Sequence, residues 1–289
     1  MAKKSDDGPK LARMKLREEA ILNDDGPGVI SRVADQNDFG KRYILKEFER
    51  EDAEDDLPIA CARASAEASP RLRHAALVEY YDFRLKKSLF RTTGAELLME
   101  YVDGRPVESL VDVPLGAWVA IFREVASALA HMHRRKILHG ALSLSKILLT
   151  PAGKVKILGY GRSLVEGVEG PVGSKRTMAP EQIKGDPLTE KSDLYSLGAC
   201  MYHAVTGKPA NVGKRGEGEL ERISTPSALN PKVPVALNNL IVSLLQTKPA
   251  MRPESAYDVQ QALDTLAQSL KVDEEVLAGL KSRSDSEPE

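Results

Sequence analysis

The sequence predicts an α+β protein, β-rich up to about Val102 and helical beyond it. Three observations carry that prediction. Between Val29 and Val102, short apolar runs alternate with turn residues, as strands do. Over residues 118–133, apolar side chains recur at helical spacing: Val119, Phe122, Val125, Leu129 and Met132. Between these regions and the later helices, residues 147–149 and 155–158 flank the turn Thr150-Pro-Ala-Gly-Lys154, which reads as a buried hairpin. A length of 289 residues suits one two-lobed domain or two small ones.

Taken in order, residues 1–15 are polar and are expected to be a disordered segment. Val29, Ile30 and Val33 predict one strand and residues 43–45 another, with Asn37-Asp-Phe-Gly40 turning between them. An acidic stretch, 47–56, leads into a helix over 57–68, with Pro70 close behind. Residues 77–83 and 96–102 read as further strands, and Asp103-Gly104 as a turn. After the helix at 118–133 and the hairpin comes a short glycine-rich segment, 162–177. A very apolar helix opens at Ser192, a last helix covers 254–270, and 271–289 is a short amphipathic segment with a polar tail.

Composition excludes several classes. Hydrophobic residues make up 42%, enough for a sizeable core and too many for a disordered chain. Lys plus Arg number 41 against 42 Asp plus Glu, a net charge of -1. No field therefore draws the chain to nucleic acid or to an anionic membrane, and neither is expected as a partner. No apolar run approaches the roughly 18 residues of a membrane span. The start, MAKKSDDGPK, lacks the apolar core of a signal peptide, so a cytoplasmic location is expected. Cys61 and Cys200 lie far apart and read as buried free thiols. The five His show no ligand spacing, and His131 and His133 point to different faces of a helix, so no metal site is expected.

The most informative stretch is ILHGALSLSKILLTPAGKVKILGYG, residues 137–161. It resembles the catalytic loop, hairpin and metal loop of eukaryotic-type Ser/Thr protein kinases, H-R-D-L-x-x-x-x-N followed by D-F-G. His139 and Leu142 match. Gly140 stands for the Arg, Ala141 for the catalytic Asp, Lys146 for the metal-binding Asn, and Gly159 for the Asp of D-F-G. Met178-Ala-Pro-Glu-Gln182 resembles the A-P-E motif, Ser192-Asp-Leu-Tyr-Ser-Leu-Gly198 the start of the central helix, and Lys248-Pro-Ala-Met-Arg-Pro253 the stretch whose Arg pairs with the A-P-E Glu. The wording of these motifs is similar to bacterial members. The resemblance covers roughly 16–270 and implies a bilobal protein-kinase-like fold. A small β-rich N-lobe would span 16–102 and a larger helical C-lobe 103–270.

The same resemblance assigns residues to roles. Glu181 and Arg252 would form a buried ion pair, and Asp193 would hold the backbone of the His139 loop. Lys46 takes the place of the strand-three Lys, with Ile44 in place of a small Ala beside it. Aligning Lys46 puts Asn23, Asp25 and Gly28 at the three positions of the glycine loop, so only Gly28 is glycine; Asp24 and Asp25 would bring negative charge to a polyphosphate. The helix Glu that pairs with the Lys falls at Ser65, with Glu67 two residues on. Gly28, Ile30, Lys46, Met99, Glu100, Val102 and Leu148 would line a nucleotide cleft. Gly140 cannot pair with a loop phosphate as the family's Arg does, so Ser163, Ser174 and Thr177 read as plain loop residues.

The positions that carry chemistry in the family have changed. Ala141 offers a methyl group where a proton acceptor is needed, Gly159 has no side chain, and Lys146 repels cations. The expectation is a pseudokinase rather than an enzyme, a signalling scaffold or regulator that binds protein. Its cofactor expectation is none, or ATP held weakly and without metal by Lys46 and Lys146. A nucleotide sensor and an atypical active Ser/Thr kinase are the competing readings.

Overall fold

A computed structural model describes residues 8–23, 28–38, 40–89, 91–160, 164–165, 174–210, 224–278 and 280. The chain divides into two compact units. The first comprises Met1–Arg73, Val78–Val102 and Leu164–Val168; the second comprises His74–Leu77, Asp103–Ser163 and Glu169–Glu289.

The first unit is a five-stranded antiparallel sheet with one helix. Its strands are β1 (Leu16–Asn23), β2 (Val29–Asp35), β3 (Arg42–Glu49), β4 (Tyr80–Ser88) and β5 (Arg91–Glu100), in the order β1-β2-β3-β5-β4. The helix α1 (Asp56–Ala68) packs on β4 and β5. Alternation along β3 divides its side chains between two faces. Tyr43 and Leu45 join Val33 and Leu98 in one cluster, which Leu11 completes. The expected disorder of 1–15 therefore fails for its described part. Leu11, only 6% exposed, sits in a 3-10 turn over Leu11–Arg13 and covers the sheet. Its N–H donates to an Asp82 carboxylate oxygen at 2.9 Å. Leu11 and the partly buried Met14 anchor this polar run, because the sheet face would otherwise stay wet. The strand expected over 77–83 begins instead at Tyr80. Leu77 belongs to the second unit, where it bridges Ile157.

The second unit is helical around α2 (Leu115–His133). Val119, Phe122, Val125, Leu129 and Met132 are buried along it, and α4 (Glu190–Thr206) and α7 (Ala256–Ser269) pack against it. A small sheet, β6 (Arg105–Pro106), β7 (Ile147–Leu149) and β8 (Val155–Ile157), holds the hairpin. Short helices α3 (Pro180–Lys184) and α5 (Pro226–Leu229) and the longer α6 (Val235–Leu244) complete it. Thr189 and Ser192 cap α4 reciprocally, satisfying two of its orphan N–H groups. Among the described residues no helix is long and apolar enough to cross a membrane. Cys200 is buried, and burial pushes its thiol pKa up; Cys61 is only half-buried, short of the burial expected for it.

Candidate functional site

The loop from His139 to Lys146 is organised by one carboxylate. Asp193, 1% exposed near the start of α4, accepts from the N–H of His139 and of Gly140, each at 2.8 Å. It also lies 2.9 Å from His133 Nε2. A carboxylate only accepts, so that nitrogen carries the proton. Burial pushes the Asp193 pKa up, but His133 and the backbone donors outweigh it and hold it below the usual range. The Gly140 backbone is at φ 72°, where a side chain would be strained. Its carbonyl accepts from Gln182 Nε2 at 2.8 Å.

A second buried pair adjoins this network through Ser192 and Gln182. Arg252 donates to both oxygens of Glu181, at 2.6 and 2.8 Å, and Ser192 Oγ donates to Glu181 at 2.8 Å. Thr177, read from the sequence as a plain loop residue, is 6% exposed. Its hydroxyl donates to the Leu142 carbonyl at 2.7 Å and so pins the loop from below. Ser174 Oγ accepts from the Arg176 N–H at 3.3 Å.

At the chemical positions, Ala141 is 6% exposed and Leu142 fully buried. Gly159 is at φ 83°. A Cβ built on it would stand 3.1 Å from Lys146 Cδ and 3.3 Å from Lys146 Nζ. The lysine side chain thus lies against the glycine, and its ammonium stands where a side chain at 159 would begin. Hard divalent cations take oxygen ligands; an ammonium beside a glycine supplies none. Positions 146 and 159 do not fit a metal ion. His139 is buried, and burial, then Lys146, lowers its pKa to about 4; Nδ1 accepts from the Ala141 N–H at 3.3 Å. The imidazole is a neutral structural group.

In the first unit, the register places Ile30 opposite Lys46 and Ile44 opposite Met99, all on one sheet face. Glu100 points to the other face, opposite Tyr43. Val102 follows β5, and Leu148 lies in β7 of the second unit. Burial lowers the Lys46 pKa, and its ammonium lies 5.0 Å from the Phe48 ring centroid. Among the described residues Lys46 forms no ion pair with Glu67, and Ser65 Oγ donates to the Cys61 carbonyl. Gly28 has a local reason to be glycine. Its φ is 100°, and a Cβ there would overlap the Glu47 carbonyl oxygen on β3. Gly28→Ala should cost about 1–3 kcal/mol, read as a lowered urea midpoint; an unchanged midpoint would show that the two strands separate freely. Asp24, Asp25 and Ser163 lie outside the described residues.

Two histidines predict a pH dependence. His74 and His131 have ring centroids 5.0 Å apart, and Ser127 Oγ lies 3.3 Å from His74 Nε2. Burial, then Arg135, His74 and Arg134, lowers the His131 pKa to about 4. Burial lowers that of His74 also. Groups that bind protons more weakly folded than unfolded favour the folded state above the unfolded value, about 6.5. That support fades as pH falls from there toward 4. For buried His139 alone the slope is about 1 kcal/mol per pH unit. Urea midpoints should therefore drop between pH 7 and pH 5, and less steeply in His131→Gln. Equal midpoints at the two pH values would refute this.

The structural roles of His133, Gln182 and Thr177 were not read from the sequence, where Thr177 was taken as a plain loop residue. His133 could have been: four residues after Leu129, it falls on the buried stripe of α2.

The protein kinase domain family matches residues 24–265. The chain is similar to serine/threonine-protein kinase PrkC of Bacillus subtilis, 26% identical over 278 residues, which cover 89% of this chain and 39% of that protein. It is 29% identical over 273 residues to serine/threonine-protein kinase pkn3 of Myxococcus xanthus, covering 86% and 49%. Against serine/threonine-protein kinase PknA of Mycobacterium tuberculosis the identity is 29% over 258 residues, covering 83% and 58%. The chain spans roughly half the length of such curated relatives. These matches correct one expectation. The relatives are named as serine/threonine-protein kinases and the kinase domain is present, so the expectation that the chain is not an enzyme does not stand.

Proposed function

Because this chain belongs to the protein kinase domain family, with bacterial serine/threonine-protein kinases among its relatives, we propose that it works as a signalling regulator that binds a protein partner through that fold. The observation that supports this reading is the fit of Lys146 against Gly159. A fixed ammonium takes up the space beside position 159, while the buried network around Asp193 and the Glu181–Arg252 pair is intact. Sequence change at the chemical positions, with a complete internal frame, suits a domain under selection for its surface. Lys146 supplies positive charge for a phosphate group without a divalent ion.

The similarity to named kinases favours a second reading, transfer of phosphate from ATP to Ser or Thr by residues outside the usual set. Two measurements separate the readings. A thermal-shift series with ATP, in Mg²⁺ and in EDTA, should give the same shift in both if Lys146 meets the phosphates. A radiolabelled-ATP assay with a generic Ser/Thr substrate should show incorporation if the second reading holds. Nucleotide binding that vanishes in EDTA would refute the metal-free role of Lys146, and capture of the full chain that retains no protein would refute the regulator. Affinity capture of the full chain with mass spectrometry then identifies the partner.

A further inference from the structure

The β4–β5 hairpin of the first unit ends in a turn whose residue does not suit its backbone. Lys87 pairs with Thr92 and Ser88 with Arg91, leaving two residues between the strands, of which Leu89 is the first. Two-residue hairpin turns need positive φ at this position, and Gly, Asn or Asp ordinarily supply it. Leu89 adopts φ 45°, in the left-handed region that an aliphatic residue avoids. No burial offsets that strain. Its side chain is 90% exposed, the most exposed large hydrophobic among the described residues.

The surroundings of this tip are cationic. Lys87 and Arg91 are exposed, one on each strand, and neither has an ion-pair partner among the described residues. Farther down, Arg84 and Lys86 are already matched by Glu96 and Glu47 within the sheet. Lysine on an edge strand discourages sheet-to-sheet pairing, but that gives no reason for a leucine at the turn. An apolar point rimmed by unmatched cations suits a surface that is oily inside and anionic outside. Strand rise of about 3.3 Å per residue keeps both cations within about 7 Å of the tip. That is the depth to which interfacial apolar groups sink below lipid headgroups.

We propose that this turn is a docking point for an anionic lipid surface, Leu89 entering the acyl boundary and Lys87 and Arg91 meeting the headgroups. A leucine that is 90% exposed favours a fluid bilayer, which closes around it, over a protein, which would need a matching pocket. The attraction is local, consistent with a net charge of only -1.

The test sediments the full chain with vesicles of phosphatidylcholine, with and without phosphatidylserine. Binding is expected only with the anionic lipid and should weaken at high salt. Leu89→Asn should reduce binding about tenfold or more. It should also raise the melting temperature by about a few degrees, since Asn tolerates the left-handed turn. A merely structural leucine would lower it. The pair Lys87→Glu and Arg91→Glu should reduce binding about tenfold or more. The proposal is overturned by no binding to anionic vesicles, by equal binding to neutral ones, or by full binding in Leu89→Asn. A protein complex that is lost in Leu89→Asn, with no vesicle binding, overturns it equally.

Discussion

Arg252→Ala should lower the unfolding free energy of the helical unit by about 3–5 kcal/mol. The Arg252 side chain is 0% exposed and that of Glu181 11%. Besides both Glu181 oxygens, the guanidinium donates to the carbonyls of Gln246, Lys191 and Thr247, at 2.8, 2.7 and 3.2 Å. It stacks 4.9 Å from the Tyr195 ring centroid. Truncation therefore leaves a buried carboxylate with Ser192 as its remaining side-chain donor, and it leaves three carbonyls short of a donor. Arg252→Lys keeps the charge but not the two-pronged geometry, and should fall between wild type and the alanine variant. The loss should shrink in acid. Burial pushes the Glu181 pKa up, but the bonds from Arg252 and Ser192 leave it below its ordinary value. The pair's contribution is thus full above about pH 4.3 and lost as pH falls through the lowered folded value. Urea titrations at pH 7 and pH 3 measure both effects. A change under 1 kcal/mol at pH 7 would contradict the account of the pair as a buried clamp.

Asp193→Ala should have a similar effect, about 3–5 kcal/mol, for a different reason. The carboxylate takes donors from two successive backbone N–H groups and from His133, and all three are buried. With alanine these donors face apolar surroundings, each at about 1–3 kcal/mol less any relaxation. Asp193→Asn keeps one acceptor oxygen and presents an amide donor to the others, so it should be intermediate. Hydrogen exchange supplies a local readout: the amides of His139 and Gly140 should exchange much faster in both variants. Protection equal to wild type would mean that the loop is held by something other than Asp193.

Much of the fold was legible before any coordinates. The apolar spacing of α2, the paired runs of β7 and β8, and the turn at residues 37–40 are local signals, each written within a dozen or so residues. The motif identities of Glu181, Asp193 and Arg252 also pointed to buried partners. Other readings stopped short. Gly28 looked like a remnant of a phosphate loop until the Glu47 carbonyl supplied a steric reason for it. Thr177 looked like loop, because a hydroxyl gives no hint of which distant carbonyl it will meet. The family comparison corrected the expectation about enzymatic activity, which rested on residue changes alone.

The amino-acid order by itself determined the main helices and several of the strands, such as α2 and the β7–β8 hairpin, and which family they build, because hydrophobic period and motif spacing are carried by neighbours along the chain. Only the tertiary structure decided that Leu11 anchors the polar amino-terminal stretch, that Lys146 lies against Gly159, and that His133 is the third donor to Asp193. Those contacts join residues far apart in sequence, and their stability comes from excluding water at a packed surface that no short stretch can specify alone.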